Sequence, residues 1–257
     1  MEKKKIVVFG DLPIATKVVQ WIRSVEELEL IGCVVSKPDA HNNDPWKDVP
    51  MLKEYCEENH IRVFWKSAEL KELYQSGELD LGLSCRFSKI LKKDIIDLFR
   101  IGIINMHGGL LPEFGGPYSC NYSILFGEGK GGGTIHWIDE DIDTGDIIKR
   151  CEFDILPDDT AYDVFQKTQL ALYENMIEII LPVINGEMSD FISQQELIKN
   201  GYAHRYFKLN SIEEYKEIDL NDSKENILKT VRAFDFPGYE PAYFVVEGKK
   251  IYLRMES

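Results

Sequence analysis

The chain is short of the features that mark membrane, secreted and polyanion-binding proteins. No apolar run reaches the ~18 residues a membrane-spanning helix needs, and Lys3, Lys4 and Lys5 are not followed by a long apolar region of signal type. Cysteine is sparse: Cys33, Cys56, Cys85, Cys120 and Cys151 are odd in number, widely spaced and free of any CxxC pair. They read as small core residues of a reduced cytosolic protein rather than a disulfide framework or a zinc site, so a cytoplasmic location is expected. Positive charge is scarce as well, with 30 Lys and Arg against 44 Asp and Glu, a net charge of −14. Nucleic-acid affinity rests on cations that neutralise phosphates, so a small-molecule substrate is expected, with no nucleic acid and no membrane as partner. GxGxxG is missing after the first apolar run, which removes the dinucleotide fingerprint and the case for a nicotinamide cofactor.

What is present is ordinary globular material. At 257 residues, 44% hydrophobic and 29% charged, the chain suits one good-sized α/β domain with a small appendage. Residues 5–10 form an apolar run of buried parallel-strand type, and a turn then leads into Ile14, Val18, Val19 and Ile22 at helical spacing. Strands over 28–35, 62–65 and 79–85 alternate with helical patterns over 50–58, 68–74 and 90–99. That βα alternation is the signature of a mostly parallel, Rossmann-like sheet with helices on both faces. A further helix is expected over 120–126. Gly131, Gly132 and Gly133 read as a flexible turn before an alternating strand from Thr134 to Ile138, and residues 147–153 return as another strand. Asp158, Asp159 and Thr160 look like an N-cap for a long helix over 161–181. The pattern weakens near 193–200, which places a catalytic domain at 1–200 and a small C-terminal domain at 201–257 with one helix and a β-hairpin.

The chemistry concentrates at the end of the apolar run Ile103-Ile104-Asn105-Met106-His107, followed by Gly108-Gly109 and Pro112. Strand side chains alternate, so Asn105 and His107 face the same way where the strand ends. The strand, acidic turn and returning strand over 134–153 bring Asp143 back to the same edge. An amide donor, an imidazole and a carboxylate suit acyl transfer to an amine: the oxyanion needs donors, and the amine must shed a proton. Ser119 and Cys120 are not placed beside His107 by strand geometry, so direct attack by the substrate amine is expected instead of a covalent intermediate. His136 reads as structural or supporting ahead of catalytic. A zinc site of His107, His136 and Asp143 lacks a tight ligand pair, and no metal is expected.

The patterns N-x-H-G-x-L-L-P over Asn105 to Pro112, G-x-T-I-H over Gly132 to His136 and D-T-G-D over Asp143 to Asp146 resemble the formyltransferases that use N10-formyltetrahydrofolate. The resemblance extends to the first βα turn at Val8 to Pro13, the segment from Cys85 to Lys92, and Val231-Arg232-Ala233-Phe234. It implies His107 as proton-transfer residue, Asn105 as oxyanion donor, and Asp143 as the group that orients His107 or relays the amine proton through water. It also implies a pterin against Arg86, Phe87, Ser88, Ile90 and Leu91 and the backbone near Asp139 and Ile142, with N10-formyltetrahydrofolate as co-substrate.

Within that family the acidic charge and the small C-terminal segment point away from the methionyl-tRNA branch, and the presence of that segment argues against the glycinamide ribonucleotide branch. The branch that N-formylates dTDP-, UDP- or GDP-linked deoxy amino sugars, for surface-polysaccharide or glycan precursors such as lipopolysaccharide, is the one expected. Gly109 stands where the tRNA-type pattern has Ser, and Gly115 where it has Arg. Gly109, Tyr118, Tyr206, Arg232 and Phe234 are the candidate acceptor contacts, the aromatics by stacking on a base and Arg232 on a pyrophosphate. The alternatives are a formyltetrahydrofolate hydrolase, whose usual N-terminal regulatory domain has no counterpart here, a formyltransferase for another small amine or methionyl-tRNA, and a non-catalytic binding module. Tyr243, Val245, Ile251 and Leu253 of the hairpin suggest a homodimer through the C-terminal region.

Overall fold

The computed structural model describes residues 2–36, 42–127 and 129–256. Its framework is a seven-stranded sheet in the order β3-β2-β1-β4-β5-β6-β7. The strands are β1 (Lys4–Gly10), β2 (Leu28–Val34), β3 (Val63–Phe64), β4 (Leu79–Cys85), β5 (Phe99–His107), β6 (Lys130–Trp137) and β7 (Ile147–Asp154). The first five are parallel, β6 pairs antiparallel with β5, and β7 pairs antiparallel with β6. The apolar run of β1 is continuous because both faces of the sheet are covered. Ile6 and Val8 pack with Leu81, Leu83 and Ile104 on one side, while Val7 and Phe9 pack with Leu79 and Ile103 on the other.

Helix α1 (Pro13–Ser24) carries Pro at its start and buries Ile14, Val18, Val19 and Ile22 on the first of those faces. The long helix α5 (Ala161–Ile184) joins it there through Leu172, Met176 and Ile180. Thr160 caps it by accepting from the Asp163 amide, and the Asp163 carboxylate accepts from the Thr160 amide, a reciprocal capping box. Helices α2 (Leu52–Glu58), α3 (Lys93–Ile96) and α4 (Ser119–Phe126) are shorter. Because the chain winds from β1 out to β3 and returns to place β4 on the other side of β1, the sheet has its switch point between β1 and β4. Ligand crevices in such sheets open beyond the carboxyl ends of the strands there.

The C-terminal part holds α6 (Gln194–Lys199), α7 (Lys224–Ala233) and the hairpin β8 (Tyr243–Val246) and β9 (Lys249–Tyr252). Ile212, Ile218, Val231, Phe234 and Ala242 are buried in one cluster with Leu110, Phe114, Tyr122, Ala161 and Val164. Residues 201–256 therefore share their core with the sheet domain. Phe207 stacks on Tyr122 with ring centroids 3.6 Å apart, which ties the connecting segment down beside α4.

Several local expectations change. Gly131 to Gly133 lie inside β6, not in a turn, because their neighbours come too close for side chains: a Cβ at Gly133 would sit 2.6 Å from Leu172 and 2.8 Å from the His107 carbonyl oxygen. The helical spacing over 90–99 yields only the single turn of α3, because Leu91, Ile95 and Leu98 are buried in one cluster whereas Phe99 already begins β5. Residues 67–72 form a 3₁₀ helix, and α6 occupies the stretch whose polar pattern gave no helix signal.

Candidate active site

Asn105 and His107 close β5, and antiparallel pairing sets Asn105 opposite His136 and His107 opposite Thr134. Beyond them, residues 108–118 must turn back to enter α4. Thr134 anchors that turn: its hydroxyl donates to the Gly109 carbonyl at 2.7 Å and accepts from the Leu111 amide at 2.9 Å. The Leu111–Pro112 peptide is cis.

His107 is almost fully buried. Its Nε2 lies 2.8 Å from the Phe114 carbonyl oxygen, which only accepts, so Nε2 carries a hydrogen and Nδ1 is the nitrogen free to exchange a proton. Nδ1 faces Asp143 Oδ1 at 3.5 Å. Asp143 is held from three directions. Its backbone is left-handed at φ 59°, its Oδ2 accepts from the Gly116 amide at 3.0 Å, and its carbonyl accepts from Gln194 Nε2 at 2.9 Å. Gln194 also donates to the Gly145 carbonyl at 2.8 Å, so α6 fastens the acidic turn. Gly116 can approach because it has no side chain: a Cβ there would meet the Phe207 carbonyl oxygen at 2.3 Å, and its φ is 84°. Arg86 and Tyr118 share the left-handed conformation, so three residues around the site sit where ordinary side chains are disfavoured.

His136 completes the edge. Its Nδ1 lies 2.8 Å from the Trp137 carbonyl, and its Nε2 lies 3.1 Å from Asn105 Nδ2 and 3.9 Å from Asp143 Oδ1. Burial, reinforced by the neighbouring His107, pushes its pKa down to about 4, against the pull of Asp143. A neutral His136 therefore donates from Nδ1 and accepts at Nε2.

Two cavities meet here. One, of about 250 Å³, is lined by Phe87, Ser88, Ile90, Leu91, Asp139 and Ile142 together with Ser84, Asn105, His136 and Asp143. The other, of about 630 Å³, takes in His107, Gly116, Tyr118, Asn121 and Phe165 and reaches Lys216, Phe234, Phe236 and Tyr239 of the C-terminal segment. Ser88 borders both.

Of the residues expected to hold a pterin, six gather on the smaller cavity, whereas Arg86 turns to the larger one. There Arg86 pairs with the buried Asp44 at 2.9 Å and lies over the Phe165 ring. Burial raises the Asp44 pKa, against the pull of that guanidinium. Lys216, the other cation on this wall, is held by Glu213 at 2.7 Å.

Of the expected acceptor contacts, Tyr118 and Phe234 line the larger cavity. Gly109 is packed instead: a Cβ would fall 2.5 Å from the Phe114 carbonyl oxygen and 2.6 Å from Ser119 Cβ. Arg232 donates to the Asp159 and Leu156 carbonyls, anchoring α7 to the start of α5. Tyr206 pairs with Gly115 as an isolated bridge and is half exposed. Burial lifts the Cys120 thiol to about 11, and the Ser119 hydroxyl is directed to the Phe114 and Gly116 carbonyls, so neither offers a nucleophile. Among the described residues no group of three His, Cys, Asp or Glu is placed to hold a metal ion, and no helix is long and apolar enough to cross a membrane.

Sequence reasoning missed Ser84, Gln194 and the Phe114 carbonyl. Ser84 and Gln194 act on residues distant along the chain, and a carbonyl has no residue signature at all.

The family model described as formyl transferase matches residues 4–180. A methionyl-tRNA formyltransferase of Ureaplasma parvum is 29% identical over 197 residues, covering 73% of this chain and 64% of the relative. The chain spans 64% and 63% of the length of the first curated relatives it matches. A 4-N formyltransferase from Francisella tularensis has a similar fold, with a TM-score of 0.77, 24% identity and coverage of 99% of this chain and 98% of that one. The N-formyltransferase from Helicobacter canadensis, in complex with folinic acid and dTDP-3-aminofucose, gives a TM-score of 0.74 at 25% identity over 97% of this chain and 86% of that chain.

Proposed function

This chain belongs to the formyl transferase family, and from that premise we propose that it moves the formyl group of N10-formyltetrahydrofolate to the amine of a nucleotide-linked deoxy amino sugar. The observation that carries this reading is the meeting of two cavities of different character at one edge bearing Asn105, His107 and Asp143. The smaller combines apolar walls from Phe87, Ile90, Leu91, Ile138 and Ile142 with polar groups at its inner end, which suits a flat heteroaromatic ring whose reactive arm reaches inward. The larger offers Tyr118, Phe165, Phe234, Phe236 and Tyr239 as apolar and stacking surface, which suits a base and a sugar, while its cations Arg86 and Lys216 are each held by a carboxylate, Asp44 and Glu213. Likeness to the Helicobacter canadensis protein through the C-terminal segment supports the same pairing.

The co-substrate supplies an electrophilic formyl carbon whose oxygen gains negative charge as the amine adds. Asn105 offers that oxygen an N–H, and a positioned donor of this kind is worth about 10²–10³ in rate. Asp143, in reach of the larger cavity through His107, receives the amine proton directly or through water. A proton taken at His107 Nδ1 gives an imidazolium braced between the Phe114 carbonyl and the Asp143 carboxylate. The C–N bond to the amine forms as the bond to N10 breaks, and the proton returns to N10. A cytoplasmic role in glycan precursor synthesis, as a homodimer through the β8–β9 hairpin, belongs to the same reading.

Methionyl-tRNA is the second reading, since relatives matched by sequence carry that name. A net charge of −14 opposes it. The test is a panel of dTDP-, UDP- and GDP-linked amino sugars and methionyl-tRNA, each incubated with the formyl donor and read by the mass gain of one formyl group. Formylation of a sugar nucleotide is the expected result. Formylation of tRNA alone would replace the reading with the second one, and donor breakdown with every amine omitted would make the protein a hydrolase.

A further inference from the structure

Asn105 serves as an oxyanion donor only if its carboxamide is turned with nitrogen, not oxygen, toward the reacting centre, and nothing in the strand itself decides between the two. A chain of hydrogen bonds does decide it. The Trp137 carbonyl can only accept, so the hydrogen of neutral His136 sits on Nδ1, 2.8 Å away. Nε2 is then a bare acceptor, and the group facing it at 3.1 Å must be the Asn105 NH₂. The amide oxygen is left on the far side, where the Ser84 hydroxyl donates to it at 2.8 Å. Ser84 is a buried polar residue on β4 and is register-paired with Asn105 on β5. Its hydroxyl takes up an acceptor that would otherwise lack a donor at the inner end of the smaller cavity.

We propose that Ser84 is a positioning residue for formyl transfer, holding the Asn105 carboxamide between its own hydroxyl and His136 so that an N–H remains directed at the developing oxyanion. The proposal rests on the formyl-transfer reading. With Ser84 removed, only one of the two hydrogen bonds that define the rotamer survives. Rotation by half a turn then becomes accessible, and it sets a carbonyl oxygen where the oxyanion forms. The loss should be smaller than that of the donor itself, because His136 still favours the correct orientation.

The test is a double-mutant cycle on the whole chain with the formyl donor and the acceptor found by the panel above. Ser84→Ala is expected to lower kcat about 10- to 100-fold, below the ~10²–10³ of a lost oxyanion donor, with KM for the donor little changed. In an Asn105→Ala background the same change should have no further effect. Ser84→Thr, which keeps the hydroxyl, should regain most of the loss. A second readout needs no turnover: the side-chain amide pair of Asn105, assigned by NMR from its absence in Asn105→Ala, should shift and exchange faster in Ser84→Ala. Equal losses in both backgrounds would overturn the proposal, as would an unchanged kcat, a raised KM alone, or an unperturbed amide pair. A wild-type protein that transfers no formyl group would sink the functional reading and leave the NMR result to judge the hold of Ser84 on Asn105.

Discussion

Replacing Asp143 by Asn removes one charge from the site and leaves its scaffolding in place. Asn tolerates the left-handed backbone observed at φ 59°, its side-chain oxygen can still accept from the Gly116 amide, and the carbonyl held by Gln194 is untouched. What disappears is the carboxylate 3.5 Å from His107 Nδ1. A unit-charge pair at that distance is worth about 5 kcal/mol at an effective dielectric of ~20. Residual water access and relaxation reduce the useful part to about 4 kcal/mol, which corresponds to about 10³-fold in rate at ~1.4 kcal/mol per decade and agrees with the 10²–10⁴ of positioned proton transfer. Asp143→Asn should therefore lower kcat about 10³-fold while the unfolding midpoint in urea stays close to that of the wild type. Initial rates of formylated product, taken by mass spectrometry across pH at saturating donor, give the measurement. A variant within tenfold of the wild-type rate would refute the assignment of Asp143 as proton acceptor and partner of His107. A matching fall in stability would move its role from chemistry to folding.

Other consequences follow from the same geometry. Gly116→Ala should destabilise the protein by more than about 2 kcal/mol, because left-handed strain adds to a Cβ placed 2.3 Å from the Phe207 carbonyl oxygen; urea unfolding measures it. Gln194→Ala frees the Asp143 and Gly145 carbonyls and should weaken folding by about 1–3 kcal/mol while lowering kcat, read in parallel by unfolding and by initial rates. His136 titrates near 4 in the folded chain against an ordinary value of 6.5, so between those pH values the unfolded chain binds the extra proton. Stability should then fall as pH drops from about 6.5 to about 4, at up to ~1.4 kcal/mol per pH unit from this group, and His136→Gln should flatten that limb of a denaturation profile.

The sequence carried much of this protein by itself. The uninterrupted apolar run at Ile6 to Phe9 marks a doubly covered parallel strand, and the two-residue spacing of Asn105 and His107 sends both to one side of a strand end. Asp158, Asp159 and Thr160 announce the long helix, with Thr160 as its cap, because capping is local chemistry. Local pattern failed where distant neighbours decide. Gly131 to Gly133 look like a turn, yet Leu172 and the His107 carbonyl need them in a strand, and Gln194 lies in a stretch too polar to attract notice.

Side-chain identity likewise did not say which cavity a residue serves. Arg86 follows β4 among residues that line the smaller cavity, but its left-handed backbone and the buried Asp44 turn it to the larger one. Gly109 stands in the motif for want of room beside Ser119, and Arg232 anchors helix α7. Residue types and spacing indicated the fold class and the three groups that meet at the strand end, while the family came from the resemblance of their motifs. Only the tertiary structure decided which nitrogen of His107 is left free by the Phe114 carbonyl, which way the Asn105 amide points and where the two cavities join. Those properties belong to carbonyls and hydroxyls supplied by other strands and loops, at Phe114, Trp137 and Ser84, and no periodicity in the chain records them.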